Sequence, residues 1–228
     1  MARQLLIAAS AALLASTSAT AAVLVVRSSG PSAAAYPPGK ALPETHVLKL
    51  KPTDTVVLLD SRGTRTLSGP GSFSVLASAK PSATGSVAGT SARRVRLGAV
   101  RGTGGTRSVW QADLGRTGNV CIANPGELTL YRPDAAAAAD VTLTDSDGKS
   151  ATVHFNASQW EASWPADLQV KTGKRINVSG LAQPATLTLR QLSPIPSGLE
   201  GMAQSLIRAE CQAQLDVLVD TFSARTEG

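Results

Sequence analysis

Short β-branched and leucine-rich runs, each ended by a cluster of turn residues, limit most what this chain can fold into. Residues 23–26 (VLVV) stop at Ser28-Ser29-Gly30-Pro31, and Tyr36-Pro37-Pro38-Gly39 is a second breaker. Residues 47–51 (VLKLK) alternate. Residues 55–59 (TVVLL) are almost continuously apolar, the pattern of a strand buried on both faces. Asp60-Ser61-Arg62-Gly63 turns the chain into a strand at 64–67, Gly69-Pro70-Gly71 breaks it, and residues 73–76 resume. Short strands with this punctuation predict a compact antiparallel β-module over residues 22–78.

Residues 77–93 are mostly Ser, Ala, Thr and Gly, with Val87 the one large apolar residue, and this composition marks a linker over 79–93. The strand rhythm returns at 108–114 (SVWQADL), 119–123 (NVCIA) and 127–131 (ELTLY). The clearest hairpin is 140–155 (DVTLTDSDGKSATVHF). Val141 and Leu143 share a face of its first arm, Ala151, Val153 and Phe155 share a face of its second, and Asp147-Gly148 supplies the turn. Further strands are expected at 167–170, 175–178 and 185–192. This spacing predicts a β-sandwich-like domain over 94–196. Ser197-Gly198-Leu199-Glu200 then reads as a capping box, and Ile207, Cys211, Leu215, Leu218 and Phe222 fall on one helical face. The expected fold class is mainly β: two small β-domains and a C-terminal α-helix over 197–223 packed on the second.

The N-terminus reads as an export signal. Arg3 is the one charge among the first 26 residues, residues 5–15 are apolar, and Ala19-Thr20-Ala21 offers a small-x-small cleavage site, giving a signal peptide over 1–21. Retention as a membrane anchor is the alternative, although Ser10, Ser16, Thr17, Ser18 and Thr20 dilute the run. In an exported chain the two cysteines, Cys121 and Cys211, point to a disulfide, with inert buried thiols as the plainer alternative. With aromatic residues at only 4% of the chain, such a bridge would support a lean core. The expected compartment is the periplasm.

Chemical motifs are scarce. Asp145-Ser146-Asp147-Gly148 imitates the start of a calcium loop, but the distal glutamate and flanking helices of that loop are absent, so a hairpin turn is expected. Gly148-Lys149-Ser150 fails as a phosphate loop because Leu143 stands at the first glycine position. A hydrolase would need His46 or His154 as its base, and no GxSxG elbow accompanies them. No catalytic residue, metal site or cofactor is therefore expected. Arg93, Arg94, Arg96, Arg101 and Arg107 form a basic patch within a net charge of +6. It lacks the interleaved aromatics of a single-strand platform, and no nucleic-acid partner is expected. Trp160 and Trp164 read either as core anchors or as a ligand surface for sugar or peptide.

The run VLVVRSSG from Val23, followed by LKLKPTDTVVLLDSRGTRTLSGPGSFSV at 48–75, resembles the FecR-like periplasmic domain. Thr53 stands where that family usually has glycine, before Asp54. The resemblance covers about a quarter of the chain and implies a bacterial periplasmic interaction or regulatory module. The expected function is that of a non-enzymatic envelope protein that binds a protein partner, with no membrane span once the signal is cleaved. A structural component of an envelope complex, or a binder of cell wall or a small ligand, is the alternative.

Overall fold

A computed structural model describes residues 22–75 and 107–223. The expected signal peptide, the linker, and Arg93, Arg94, Arg96 and Arg101 lie outside the described residues. Among the described residues no helix is long and apolar enough to cross a membrane. The fold is mainly β with two helices at its C-terminal end.

The first module contains β1 (Ala22–Ser29), β2 (Ala41–Pro43), β3 (Val47–Leu50), β4 (Thr55–Asp60), β5 (Gly63–Ser68) and β6 (Gly71–Ser74). The order β2-β1-β4-β5 makes an antiparallel sheet, and β3 pairs with β6 as a two-stranded ribbon. The continuous apolar runs have the expected reason. Val23, Val25, Val56 and Leu58 pack with Tyr36, Leu42, Leu48, Leu50 and Val75. Leu24, Val26, Val57 and Leu59 pack on the opposite face against the C-terminal helices. Asp54 ties the loops at one end, accepting from the backbone N–H of Ser32 at 2.8 Å and of Lys51 at 2.5 Å. To reach that position the chain places Thr53 at φ +69°, a left-handed conformation unfavourable for a β-branched residue.

The second module contains β7 (Gln111–Asp113), β8 (Gly118–Ile122), β9 (Thr129–Tyr131), β10 (Ala139–Asp145), β11 (Ser150–Phe155), β12 (Glu161–Ser163), β13 (Arg175–Ser179) and β14 (Ala185–Gln191). A five-stranded sheet, β11-β10-β13-β14-β8, faces a three-stranded sheet, β12-β9-β7. Leu114, Ile122, Leu130, Val141, Leu143, Phe155, Ile176 and Leu187 fill the space between them. The β10–β11 hairpin forms with the expected faces, Val141 and Leu143 opposite Val153 and Ala151, and Gly148 takes φ +84° in its turn. Two details differ from expectation. Residues 167–170 turn instead of pairing: Leu168 N–H donates to Pro165 C=O at 3.0 Å. The segment between the two tryptophans is instead the strand β12.

The single C-terminal helix expected over 197–223 is two helices, α1 (Gly198–Arg208) and α2 (Gln212–Ser223). Cys211 N–H donates to Leu206 C=O and Glu210 N–H to Ile207 C=O, with Glu210 at φ +56°. These bonds form a Schellman stop, with Glu210 in the position usually held by glycine. Ser197 precedes α1 but makes no side-chain capping bond, so the capping box does not form. The helices also do not rest on the second module alone. α1 packs on β1 and β4, and α2 packs on both β5 and β8.

Several ties hold this junction. Cys121 and Cys211 form a fully buried disulfide with a Cα–Cα distance of 5.8 Å. Gln214, also buried, accepts from Cys121 N–H at 2.6 Å and donates to the carbonyls of Cys121 and Val109 at 2.7 Å each. Its amide therefore pairs with the outer edge of β8 as a neighbouring strand would. Asp216 on α2 meets Arg27 on β1 at 2.5 Å and Arg116 at 2.8 Å. Burial raises the Asp216 carboxyl, but its bonds to Arg116, Gln212 and Arg27 outweigh that and hold it below the usual carboxylate range.

Candidate functional site

Most aromatic side chains are committed to packing. Tyr36, Phe155 and Phe222 are buried, while Phe73 and Trp110 pack against the margins of their cores. The remaining three gather at the three-stranded sheet. Leu130 and Ala162 point inward from β9 and β12, so Tyr131, opposite Glu161, points outward. Trp160 stacks on Tyr131 with ring centroids 6.3 Å apart and planes 16° from parallel. The Arg107 guanidinium lies 4.7 Å from the Tyr131 centroid and pairs with Asp113 on β7. Arg107 is the one residue of the basic patch within the described residues. Its charge is engaged by a carboxylate and a ring.

Trp164 follows β12 and has different neighbours from Trp160. It packs against the sandwich core, and its Nε1–H donates to Leu168 C=O at 2.8 Å. Its backbone N–H donates to Leu128 C=O at 3.2 Å. With Leu128, Leu168 and Val170, it lines an open cleft of about 650 Å³ bordered by Glu127, Thr129, Ser163 and Lys171. Thr129 and Ser163 of the cleft pair across β9 and β12 and share the outward face of Tyr131 and Glu161, so the stack lies next to the cleft along one sheet face. Trp164 is at once a core anchor and a cleft wall.

Arg132 fixes the geometry of this surface and carries no sequence signal of that role. It is 1% exposed. Its guanidinium donates to the carbonyls of Gln159, Ala137 and Asn156, each at 2.7 Å, and lies 5.2 Å from the Phe155 ring centroid. Its backbone N–H donates to Trp160 C=O at 3.0 Å. Three carbonyl dipoles and a ring face solvate the buried cation, and the loops before β10 and β12 are held in return.

The other sequence candidates lie apart from this surface. His154 bonds to Asp140 at 2.7 Å on the exposed face of the hairpin. His46 stands edge-on to Tyr36 at 6.2 Å in the first module. Asp145, in the sequence resembling a calcium loop, accepts from the N–H groups of Asp147 and Lys149 and meets the Lys174 ammonium at 2.7 Å. Asp147 meets the same ammonium at 3.1 Å. The Lys174 bond, chiefly, holds the Asp145 carboxyl low against the opposing effect of burial, and the two carboxylates hold Lys174 high. No family model, curated protein or solved structure matches the chain.

Proposed function

We propose that this chain is a non-enzymatic binding module exported to the bacterial envelope. It engages a protein partner through the outer face of the three-stranded sheet and serves a regulatory or signalling role there. The observation that carries the reading is the gathering of Tyr131, Trp160 and Trp164, in an aromatic-poor chain, beside an open cleft. Half-exposed aromatics fixed by a rigid frame offer large contact area at little entropic cost, which suits recognition. Among the described residues the titratable groups bordering the cleft are Glu127 and Lys171. The buried disulfide is compatible with an oxidising compartment, and the export-type N-terminus supports the same location. The resemblance of residues 23–75 to FecR-like domains supports a periplasmic regulatory setting.

The reading is tested by cross-linked recovery of the tagged protein from its own envelope fraction, comparing wild type with Trp160→Ala. A near-stoichiometric partner recovered by wild type and lost with the variant is expected. Equal recovery by both would place the contact elsewhere. The stacked Tyr131–Trp160 pair also favours a second reading, a sugar of the cell wall stacked on the rings. Quenching of tryptophan fluorescence by soluble wall fragments, with no protein recovered, would select it.

A further inference from the structure

Edge strands expose a row of backbone donors and acceptors, and proteins usually cover them or place charge or proline there. Among the described residues the two longest edge strands are β5 and β11. α2 covers the start of β5, where Thr64 Oγ1 donates to Val219 C=O at 3.3 Å, and Arg65 places a charge in the strand. The edge of β8 is taken by Gln214. β12 is short and carries Glu161, and β2 is short and ends in Pro43. β11, with the sequence SATVHF, has no lysine, arginine, carboxylate or proline.

Register shows which groups β11 leaves open. Asp145 N–H donates to Lys149 C=O, so the hydrogen-bonded pairs of the hairpin continue at Leu143–Ala151, Val141–Val153 and Ala139–Phe155. The backbone groups of Ser150, Thr152 and His154 therefore point away from β10. All three residues are exposed, and no backbone hydrogen bond reaches them from the described residues. β12 touches β11 but shares no ladder with it.

We propose that this edge pairs with the same edge of a second copy of the chain, antiparallel about Thr152. That register sets Ser150 of each copy opposite His154 of the other and Thr152 opposite Thr152. Every outward N–H and C=O of these residues finds a partner. On the core side, half-buried Ala151 meets Val153, a small residue beside a larger one. On the solvent side, threonine meets threonine, a favourable cross-strand pair. A two-fold pairing of this kind closes on itself and uses up the edge, so it gives a dimer and not a fibre. The proposal is independent of what the aromatic cleft binds, and its outcome leaves that reading untouched.

The test is sedimentation equilibrium of the disulfide-bonded protein over a range of concentrations, with Thr152→Pro as the variant. The Thr152 N–H is unused by β10, and an edge position facing solvent tolerates proline, so the variant should fold as wild type does. A concentration-dependent rise from one-chain to two-chain mass is expected, and Thr152→Pro should weaken it by about tenfold or more. Thr152→Lys, which keeps the N–H and adds an edge charge, should weaken it too and decides the matter should the proline variant fail to fold. A one-chain mass at every concentration overturns the proposal. So does a dimer whose affinity these substitutions leave unchanged.

Discussion

In the first module β1 and β4 are covered on both faces, by the β3–β6 ribbon on one side and the helices on the other. In the second module β10 and β11 turn one face to the core and the other to solvent. The covers leave the first sheet an open cleft of about 540 Å³, lined by Val26, Ser28, Thr55, Val57 and Thr66, with no aromatic side chain among its described walls. The second module keeps an aromatic outer face on its small sheet and an uncovered edge on its large one. The helices make the difference, because they are pinned to β8 by a disulfide yet cover the first sheet. The first module thus owes one of its faces to a covalent bond made in the second.

Breaking that bond should have the largest effect. The paired variant Cys121→Ala/Cys211→Ala releases a loop of 90 residues and should cost about 4–5 kcal/mol in the chain-entropy model. Hydrogen exchange should quicken in β1 and β4 as well as β8. Acceleration confined to β8 would contradict the shared cover. Next in size, Leu58→Ala in the doubly covered sheet should cost about 2–5 kcal/mol by denaturant titration. Thr142→Ala on the solvated face should stay within about 0.5 kcal/mol. Similar costs at the two sites would erase the contrast. A smaller change runs in the opposite direction. Thr53→Gly relieves a left-handed β-branched residue while adding unfolded-chain entropy, for a net gain of about 0.5–1 kcal/mol. A lower melting temperature for this variant would refute that account.

The gentlest perturbation is a proton. Burial raises the Asp54 carboxyl, but hydrogen bonds from Ser32 and Lys51 prevail and keep its folded pKa below the unfolded value; Asp145 is lowered chiefly by its bond to Lys174. Their stabilising contribution is complete above the unfolded pKa of about 3.9 and is lost as pH falls through the lower folded values. Lys174 is raised, so its contribution is complete below about pH 10.4 and is lost as pH rises through its folded value. Melting temperature should therefore stay level through neutrality and fall at both extremes. The Lys174–Asp145 pair lies in the second module.

The features legible in the sequence were those with a local signature. The TVVLL run announced double burial, Asp147-Gly148 announced its hairpin, and an even cysteine count in an export-type chain announced the bridge. The helix break escaped because Glu210, not glycine, takes the left-handed position, while the apolar stripe from Ile207 to Phe222 runs through it undisturbed. β12 escaped because Glu161-Ala162-Ser163 has no β-forming side chain. It is a strand through pairing with β9, flanked by the Arg132–Trp160 and Trp164–Leu128 bonds. At the candidate site the tryptophans stood out by rarity. The contributions of Tyr131 and Arg132 did not, because they depend on contacts with residues more than twenty positions away.

The central claim is that partner contact belongs to the aromatic face of the second module. A photo-reactive amino acid placed at Trp160, and separately at Thr142 on the solvated face of the other sheet, tests it in intact cells. The account predicts a discrete covalent adduct to a different protein from position 160 and none from position 142, where the neighbouring Thr152 edge could yield only an adduct between two copies of the chain. A different protein captured from position 142 alone, or equally from both, would contradict it.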